Sequence, residues 1–180
     1  MYGIVNSAIE EMVKFNFGPE AWERIRIRSG VTQEYFISNE AYDDAITYQL
    51  AAAASEEMNI RLDQVLASFG EWWVLKTGKE KYGALMSAGG KDIKSFLLHL
   101  PVLHNRIILI YPKLVPPEFR VTDITDKSLN LHYHSERKGL QPFVIGLIRG
   151  LGKLYNTNVE VTLLQSRNTG ASHEIFNISW

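Results

Sequence analysis

A histidine within an apolar helical stretch is the first candidate for chemistry in this 180-residue sequence. On its helical face His104 is surrounded by Leu100, Leu103, Ile107, Ile108 and Tyr111. An imidazole in such surroundings needs a hydrogen-bond partner or a metal ion. Two interpretations are therefore open, a core histidine satisfied by a carbonyl group and a metal ligand. Since other ligating side chains are missing nearby, a metal would take its remaining ligands from a cofactor, and a porphyrin needs only one axial side chain.

The second group of candidate residues lies on a strand predicted over residues 129–137. One face of this strand carries two leucines and then three hydrogen-bond donors, in the order Leu129, Leu131, Tyr133, Ser135 and Arg137. A period of two directs alternate side chains to the same face. Two hydroxyls and a guanidinium suit one or two carboxylates, although a strand that simply emerges into water has the same pattern. Haem requires both an axial histidine and a carboxylate clamp.

The other four histidines are predicted to have ordinary roles. His132 and His134 share the opposite, solvent-type face of the predicted strand, His99 ends a helix before Pro101, and His173 lies in a polar loop. Motifs for nucleophilic catalysis, nucleotide binding and zinc hydrolysis are absent, so no enzyme activity is predicted. The Gly146-x-x-x-Gly150 pair indicates close helix packing.

Composition excludes several classes of protein. Nineteen basic residues balance 20 acidic ones, which gives a net charge of -1. The excess of basic residues that is typical of nucleic-acid-binding proteins is therefore missing. The sequence has no cysteine, so disulfides, thiolate metal sites and covalent haem attachment are excluded. No run approaches the roughly 18 apolar residues of a membrane span, and no signal peptide is recognisable. We therefore expect a cytoplasmic, soluble monomer or weak oligomer without membrane contact.

The elements that must position these residues form a single domain of the α+β class. Helical periodicity predicts helices over residues 2–17, 22–28, 44–58, 62–76, 82–87, 92–99, 101–110 and 142–155. Period-two alternation predicts strands over residues 119–122, 129–137, 158–164 and 174–179. The chain is thus predicted to have helices first and then an antiparallel sheet with an inserted helix.

Taken together, these residues make the sequence resemble a known protein family. His104, the Tyr133-x-Ser135-x-Arg137 triplet, and Tyr111-Pro112 with Pro116-Pro117 occur in the order typical of the haem nitric oxide/oxygen-binding (H-NOX) domain. That domain is also the haem sensor of soluble guanylate cyclase. Similar stretches include Met1-Tyr2-Gly3-x-Val5-Asn6, Tyr48-x-Leu50-x-Ala52-Ala53-Ala54-Ser55 and Gly146-Leu147-Ile148. The resemblance spans essentially the whole chain.

The resemblance implies a non-covalent haem b, ferrous when sensing, buried between a distal helical subdomain of about residues 1–60 and a proximal subdomain of about residues 61–180. His104 would be its proximal ligand, Tyr133, Ser135 and Arg137 would hold the propionates, and Asp44 is a possible partner of Arg137. Pro117 would press on the porphyrin. The resemblance further implies a distal pocket of Val5, Ile9, Trp73, Phe143 and Leu147, and proximal contacts from Leu100, Leu103 and Leu114.

Phe143 bears on ligand choice, because family members that hold O2 stably have a tyrosine there. The resemblance therefore implies a sensor that binds NO and CO and discriminates against O2. Binding of NO would release His104 from iron, relax the haem and shift the subdomains. The signal would pass to a separate protein, a histidine kinase or a cyclic-di-GMP enzyme.

Three alternatives remain at this point. An O2 or redox sensor of the same fold would use the Trp73 indole as distal donor. A haem-free interaction or lipid-binding module would have His104 in its core and another carboxylate on the donor row. Haem peroxidase chemistry usually needs polar distal groups, and this pocket offers none beyond Trp73.

Overall fold

The computed structural model describes all 180 residues. It contains seven α-helices and four strands: α1 (Gly3–Phe17), α2 (Pro19–Ser29), α3 (Asp44–Met58), α4 (Leu62–Trp72), α5 (Lys79–Ser87), α6 (Ile93–Ile110), β1 (Glu118–Thr122), β2 (Ser128–His134), α7 (Gln141–Leu154), β3 (Glu160–Gln165) and β4 (Glu174–Ser179). A helical first part and a later antiparallel sheet confirm the predicted α+β class. The chain divides into two compact units, Met1–Phe69 and Gly70–Trp180.

The first unit is helical. Apolar side chains of α1, α2 and α3 fill its interior, among them Ile9, Val13, Trp22, Ile25 and Leu50. One buried polar pair lies in this interior, since the Thr47 hydroxyl donates to Asn6 Oδ1 at 2.6 Å. The chain's N-terminal amine forms an ion pair with Asp44. This pair fixes the start of α1 relative to the start of α3.

The second unit is built on a four-stranded antiparallel sheet in the order β1-β2-β4-β3. Its core combines one face of the sheet with apolar residues of α6 and α7, including Leu97, Leu131, Ile148, Phe176 and Ile178. The alternation of β2 is clean, because Leu129, Leu131 and Tyr133 are buried while the residues between them are half-buried. The core-facing side of β2 is therefore the side that carries Tyr133.

Two predicted boundaries are wrong, and both affect the functional residues. Residues 92–99 and 101–110 were predicted as separate helices, but α6 is continuous through Pro101. Proline removes one backbone donor and its ring crowds the carbonyl group one turn earlier, but the capping box at Asp92 and the buried apolar face hold the helix together across that gap. His99 therefore lies inside a helix. β2 ends at His134, so Ser135 and Arg137 lie beyond the strand.

The predicted helix over residues 62–76 is also interrupted. α4 ends at Trp72 and continues as a π-helical turn over Trp73–Gly78, which leads directly into α5. A π-helical turn inserts an extra residue into the hydrogen-bonding pattern and occurs frequently at functional sites. Trp73 is the first residue of this turn.

Helix α6 is the one helix of the chain that is long and apolar enough in average composition to cross a membrane. Its 18 residues are not an uninterrupted apolar run, since they include Lys94, His99, Pro101, His104 and Arg106. Only the first part of this helix is buried, and Leu109 and Ile110 at its end are exposed. The residues Ile93, Phe96, Leu97 and Leu100 of α6 pack in the core of the second unit.

Close packing of Gly70 and of the π-helical turn against α7 depends on glycine. A Cβ atom at Gly70 would lie 2.3 Å from the carbonyl oxygen of Phe143 and 2.7 Å from the amide of Leu147. A Cβ atom at Gly150 would lie 2.9 Å from Val74 Cβ. These distances support the predicted packing role of the Gly146-x-x-x-Gly150 segment, because helix backbones approach this closely only where a side chain is missing.

We expect Gly70→Ala to lower the free energy of unfolding by about 1–3 kcal/mol, since the added methyl group meets backbone atoms that cannot rotate away. The melting temperature should fall by about 2–4 °C for each kcal/mol. Gly83→Ala is the matched control, because Gly83 also lies in a helix and has no atom within 4 Å of the added Cβ. The control should be neutral or slightly stabilising, and equal melting temperatures for the two variants would contradict the packing argument.

Candidate functional site

His104 is held in a single neutral form by its own helix. Its Nδ1 lies 3.0 Å from the carbonyl oxygen of Leu100, one turn earlier in α6. Because a carbonyl oxygen only accepts hydrogen bonds, Nδ1 carries the proton and Nε2 keeps its lone pair. Burial lowers the pKa of His104 below its usual value, which favours the neutral imidazole. The carbonyl partner and an available Nε2 are what an axial metal ligand needs.

A row of aromatic rings joins this histidine to the sheet. The ring centroids of His104 and Phe119 are 4.9 Å apart, and those of Phe119 and Tyr133 are 5.5 Å apart. Phe119 and Tyr133 are directly opposite each other in the β1–β2 register. Packing across α6, β1 and β2 therefore fixes His104 and Tyr133 on the same side of the sheet.

The three predicted donors lie at the end of β2 and in the segment that follows it. Tyr133 is buried, and burial raises the pKa of its hydroxyl, an effect partly offset by a hydrogen bond with Ser135. Ser135 Oγ also accepts from the backbone N–H of Arg137 at 3.1 Å. The Arg137 guanidinium donates to the carbonyl oxygen of Val115 at 2.8 Å. The structure thus brings Tyr133, Ser135 and Arg137 together next to the segment that contains Pro117.

A buried ion pair, missed by the sequence analysis, holds the segment after β2 in place. Arg167 Nε donates to both carboxylate oxygens of Glu174, at 2.9 and 2.8 Å, and Glu174 is fully buried. The other guanidinium nitrogens of Arg167 donate to the backbone carbonyls of Ser135 and Arg137, the second at 2.7 Å. Gln141 Nε2 donates to Glu174 Oε1 at 3.0 Å. Arg167 and Glu174 are therefore positioning residues for the predicted carboxylate site.

One sequence signal could have indicated this ion pair. Glu174, Phe176 and Ile178 alternate along β4, and all three are buried. Period-two alternation places Glu174 on the core face, where a carboxylate requires a cationic partner. The identity of that partner depends on the loop before β4, whose path is not readable from spacing.

The predicted distal residues of the second unit lie on two elements, α7 and the π-helical turn. Phe143 and Leu147 lie one turn apart on α7 and are half-buried, beside the fully buried Val144 and Ile148. Trp73 is half-buried at the start of the π-helical turn, which packs against α7 at Gly150. None of the four apolar side chains named on α7 offers a hydrogen-bond donor.

The remaining candidate residues are described within their own units. In the first unit, Val5 and Ile9 lie one turn apart on α1, Val5 half-buried and Ile9 buried. In the second unit, Leu100 is buried, and three residues are half-buried, Leu103, Leu114 and Pro117. Leu103, which lies on α6, packs against the core of the second unit.

The residues of the second unit fit haem. His104 offers a neutral nitrogen lone pair whose position is fixed by the Leu100 carbonyl, and Tyr133, Ser135 and Arg137 supply donors for carboxylates. The half-buried apolar residues on α6 and α7 suit the porphyrin faces.

Comparison with known proteins decides the family. The model of the family described as Haem-NO-binding matches residues 2–163, which is most of the chain. The chain belongs to the haem-NO-binding family. Members of this family are haem-based gas sensors, and the H-NOX domain is a sensor module that is not itself catalytic. The resemblance stated from the sequence is confirmed.

Curated relatives of this H-NOX domain are much longer proteins. Soluble guanylate cyclase gcy-31 of Caenorhabditis elegans is 27% identical over 165 residues, which are 91% of this chain and 24% of that protein. Soluble guanylate cyclase gcy-32 of the same organism is 28% identical over 180 residues, covering 98% of this chain and 26% of that protein. The chain thus spans about a quarter of the length of these relatives.

Solved structures show the same fold. The unliganded Fe(II) H-NOX protein from K. algicida has a TM-score of 0.87 and 25% identity, with 99% of this chain and 96% of that chain covered. An H-NOX protein from S. oneidensis in the Fe(II)NO ligation state has a TM-score of 0.89 and 19% identity, with 99% and 98% covered. Both likenesses extend over both units of the chain.

Proposed function

We propose that this chain binds haem b through His104 and senses NO and CO at ferrous iron while discriminating against O2. The observation that carries the proposal is the state of His104, whose Nδ1–H is bound by the Leu100 carbonyl and whose Nε2 is left as the donor atom. When bound, haem would supply an iron that can take up a diatomic gas. Tyr133, Ser135 and Arg137 hold the propionates, and Pro117 contacts the porphyrin.

The proposed distal pocket consists of apolar side chains and one indole. Val5, Ile9, Trp73, Phe143 and Leu147 line it, with about the first 60 residues as the distal subdomain and the rest as the proximal one. Phe143 has no hydrogen-bond donor, and O2 depends on such a donor far more than NO or CO. A hydrogen bond in a dry pocket contributes about 1–3 kcal/mol. Its absence accordingly favours NO and CO.

Signalling in this proposal uses the continuity of α6. His104 lies in the middle of a single helix that begins at the Asp92 capping box and passes through Pro101. A change in the restraint on His104 therefore acts on the whole of α6 and, through the ring contact with Phe119, on β1. Coupling between gas binding and a partner protein must be reciprocal, with a typical magnitude of about 1–3 kcal/mol. Relatives named as soluble cyclases support a soluble, cytoplasmic location.

An absorption spectrum tests the proposal directly. The haem-loaded protein is reduced with dithionite without oxygen, excess dithionite is removed, and the Soret band is recorded in separate samples before and after addition of O2 or of NO. The proposal expects a band that O2 leaves in place and NO shifts. A Soret band shifted by O2 would instead indicate an oxygen sensor that uses the Trp73 N–H. No Soret band after reconstitution with haem would indicate a haem-free binding module.

Exchange of one distal residue should weaken the discrimination against O2. In Phe143→Tyr the new hydroxyl can donate to bound O2, so we expect O2 affinity to rise by up to about a hundredfold while the affinity for CO changes little. Phe143→Leu is the control, because it changes the size of the side chain without adding a donor. Titration of the reduced proteins with O2 and CO measures both affinities, and O2 binding that tightens equally in the leucine variant would refute the donor argument.

A further inference from the structure

Three histidines, two predicted on the solvent-type face of one strand and one in a polar loop, form a cluster on the outer face of the sheet. The potential ligand nitrogens of His132, His134 and His173 all lie within 4.8 Å of one another. His132 and His134 project from the face of β2 opposite Tyr133, and all three side chains are half-buried. The β2–β4 register, which pairs His132 with Ile175 and Tyr133 with Glu174, brings His173 beside His134.

From this geometry we propose that His132, His134 and His173 bind a divalent transition-metal ion, with Zn²⁺ as the ion that best fits, at a site distinct from the haem site. Three imidazole nitrogens and one water molecule form a common open zinc site. Imidazole is also a good ligand for Cu²⁺ and Ni²⁺, whereas Mg²⁺ and Ca²⁺ prefer oxygen. The half-buried position of the cluster lets water reach the fourth coordination position.

Hydrogen bonds already fix which nitrogen of His132 faces the site. Thr122 Oγ1 donates to Asp123 Oδ2 at 2.9 Å, so its single proton is used there. The same oxygen lies 2.8 Å from His132 Nε2 and therefore accepts from an Nε2–H group. His132 Nδ1 then keeps its lone pair. A metal-bound histidine usually donates its other ring N–H to a carboxylate, a carbonyl or water, and here the Thr122 hydroxyl, itself bonded to Asp123, takes that place.

Without a metal, a hydrogen-bonding proton lies between His132 and His173, at the place proposed for the metal ion. His132 Nδ1 accepts from His173 Nε2–H at 2.9 Å, and His173 Nδ1 lies 2.9 Å from Ser172 Oγ. When a metal binds, the His173 proton moves from Nε2 to Nδ1, where Ser172 Oγ accepts it, and no net proton is released. Zn–N bonds of about 2.0–2.1 Å in a tetrahedron separate two ligand nitrogens by about 3.3 Å. The two nitrogens therefore need to move apart only slightly, but the rings, whose centroids are 5.2 Å apart with an interplanar angle of 27°, must also turn so that both lone pairs point to the metal.

The third ligand requires a larger rotation. The rings of His134 and His173 are stacked, with centroids 3.9 Å apart and an interplanar angle of 19°. Parallel rings do not direct their lone pairs to one point, so His134 must turn about its side-chain torsions to complete the site. The Asp123 carboxylate behind Thr122 attracts the bound cation. The guanidinium of Arg120, which is opposite His132 in the β1–β2 register, repels it.

Equilibrium dialysis of the haem-loaded protein against Zn²⁺, with bound zinc and iron counted separately by elemental analysis, tests the proposal. We expect about one zinc per chain and an iron content unchanged by zinc. His173→Gln should lose stoichiometric zinc, while His99→Gln, an exposed histidine on α6, should retain it. Thr122→Val should weaken zinc binding by about 10–100-fold, because only the outer partner of His132 is lost.

Unchanged iron content and far-UV circular dichroism in each variant show that the fold is intact. Because His173 lies in the loop before β4, its substitution leaves the strand pairs untouched, and His134→Gln provides a second ligand variant. Absence of bound zinc in the wild type, or zinc retained in His173→Gln, would overturn the proposal for Zn²⁺. Parallel dialysis against Cu²⁺ and Ni²⁺ is expected to show binding lost in the same variants, and binding retained in them would refute the three-histidine donor set.

Discussion

His104→Gly is expected to lose haem during gel filtration, and imidazole added to the buffer should restore it. The variant removes the only proposed protein ligand of the iron while leaving the propionate-binding residues in place. Loss of an outer-shell partner alone typically weakens metal binding by about 10–100-fold, so loss of the ligand itself should weaken haem retention by at least about 100-fold. Soret absorbance and iron content per chain measure the effect. A wild-type haem ratio in the variant without imidazole would show that His104 is not the ligand.

His99→Gly is the matched control for this experiment. His99 is exposed on the same helix, five residues before His104, and its Nδ1 likewise lies near a carbonyl one turn earlier, that of Ser95 at 2.7 Å. Both variants place glycine in α6 and therefore share the helix cost of about 1 kcal/mol. Only His104→Gly should lose haem.

The imidazole-rescued variant also tests the proposed transmission through α6. It carries the iron ligand without the covalent connection between that ligand and the helix. If α6 transmits the signal, amide hydrogen exchange in α6 should differ between the rescued variant and the unliganded His99→Gly variant, which carries the same helix cost but keeps its iron ligand joined to the helix. Identical exchange rates throughout α6 would contradict release of this helix as the signal.

Arg167→Met is expected to lower the free energy of unfolding by about 3–5 kcal/mol, because it leaves Glu174 buried without its cation. Glu174 is fully buried, so solvent cannot replace the lost guanidinium. For a chain of this length the melting temperature should fall by about 6–20 °C. Haem retention should fall as well, since the carbonyls of Ser135 and Arg137 lose the donors that hold the proposed propionate-binding segment.

Two further variants separate charge burial from other effects. Arg149→Met, on the exposed side of α7, removes one positive charge without a buried partner and should change the melting temperature little. Adding Glu174→Gln to Arg167→Met should recover part of the lost stability, because no unpaired charge remains in the core. A single Arg167→Met variant as stable as Arg149→Met would refute the positioning role of the ion pair.

Local sequence patterns singled out several candidate residues, and the family resemblance assigned them to a haem site. The apolar surroundings of His104 and the spacing of Tyr133, Ser135 and Arg137 are readable without a fold. The role of Phe143 in ligand choice came only from the family resemblance. The same patterns predicted the α+β class and most of the helices. They failed at Pro101, where proline indicated a helix start, although tertiary packing of Ile93, Leu97 and Leu100 keeps α6 continuous.

The tertiary structure alone decided which residues distant in sequence meet. Arg167 reaches the carbonyls of Ser135 and Arg137 because the loop before β4 folds back beneath the end of β2. His173 joins His132 and His134 only through the register of β2 with β4. Periodicity specifies the face of a strand but neither its neighbour nor its register, and these depend on how the whole sheet packs against α6 and α7. The sequence by itself thus determined the candidate ligand, the donors and the fold class, and packing decided the contacts that hold them in place.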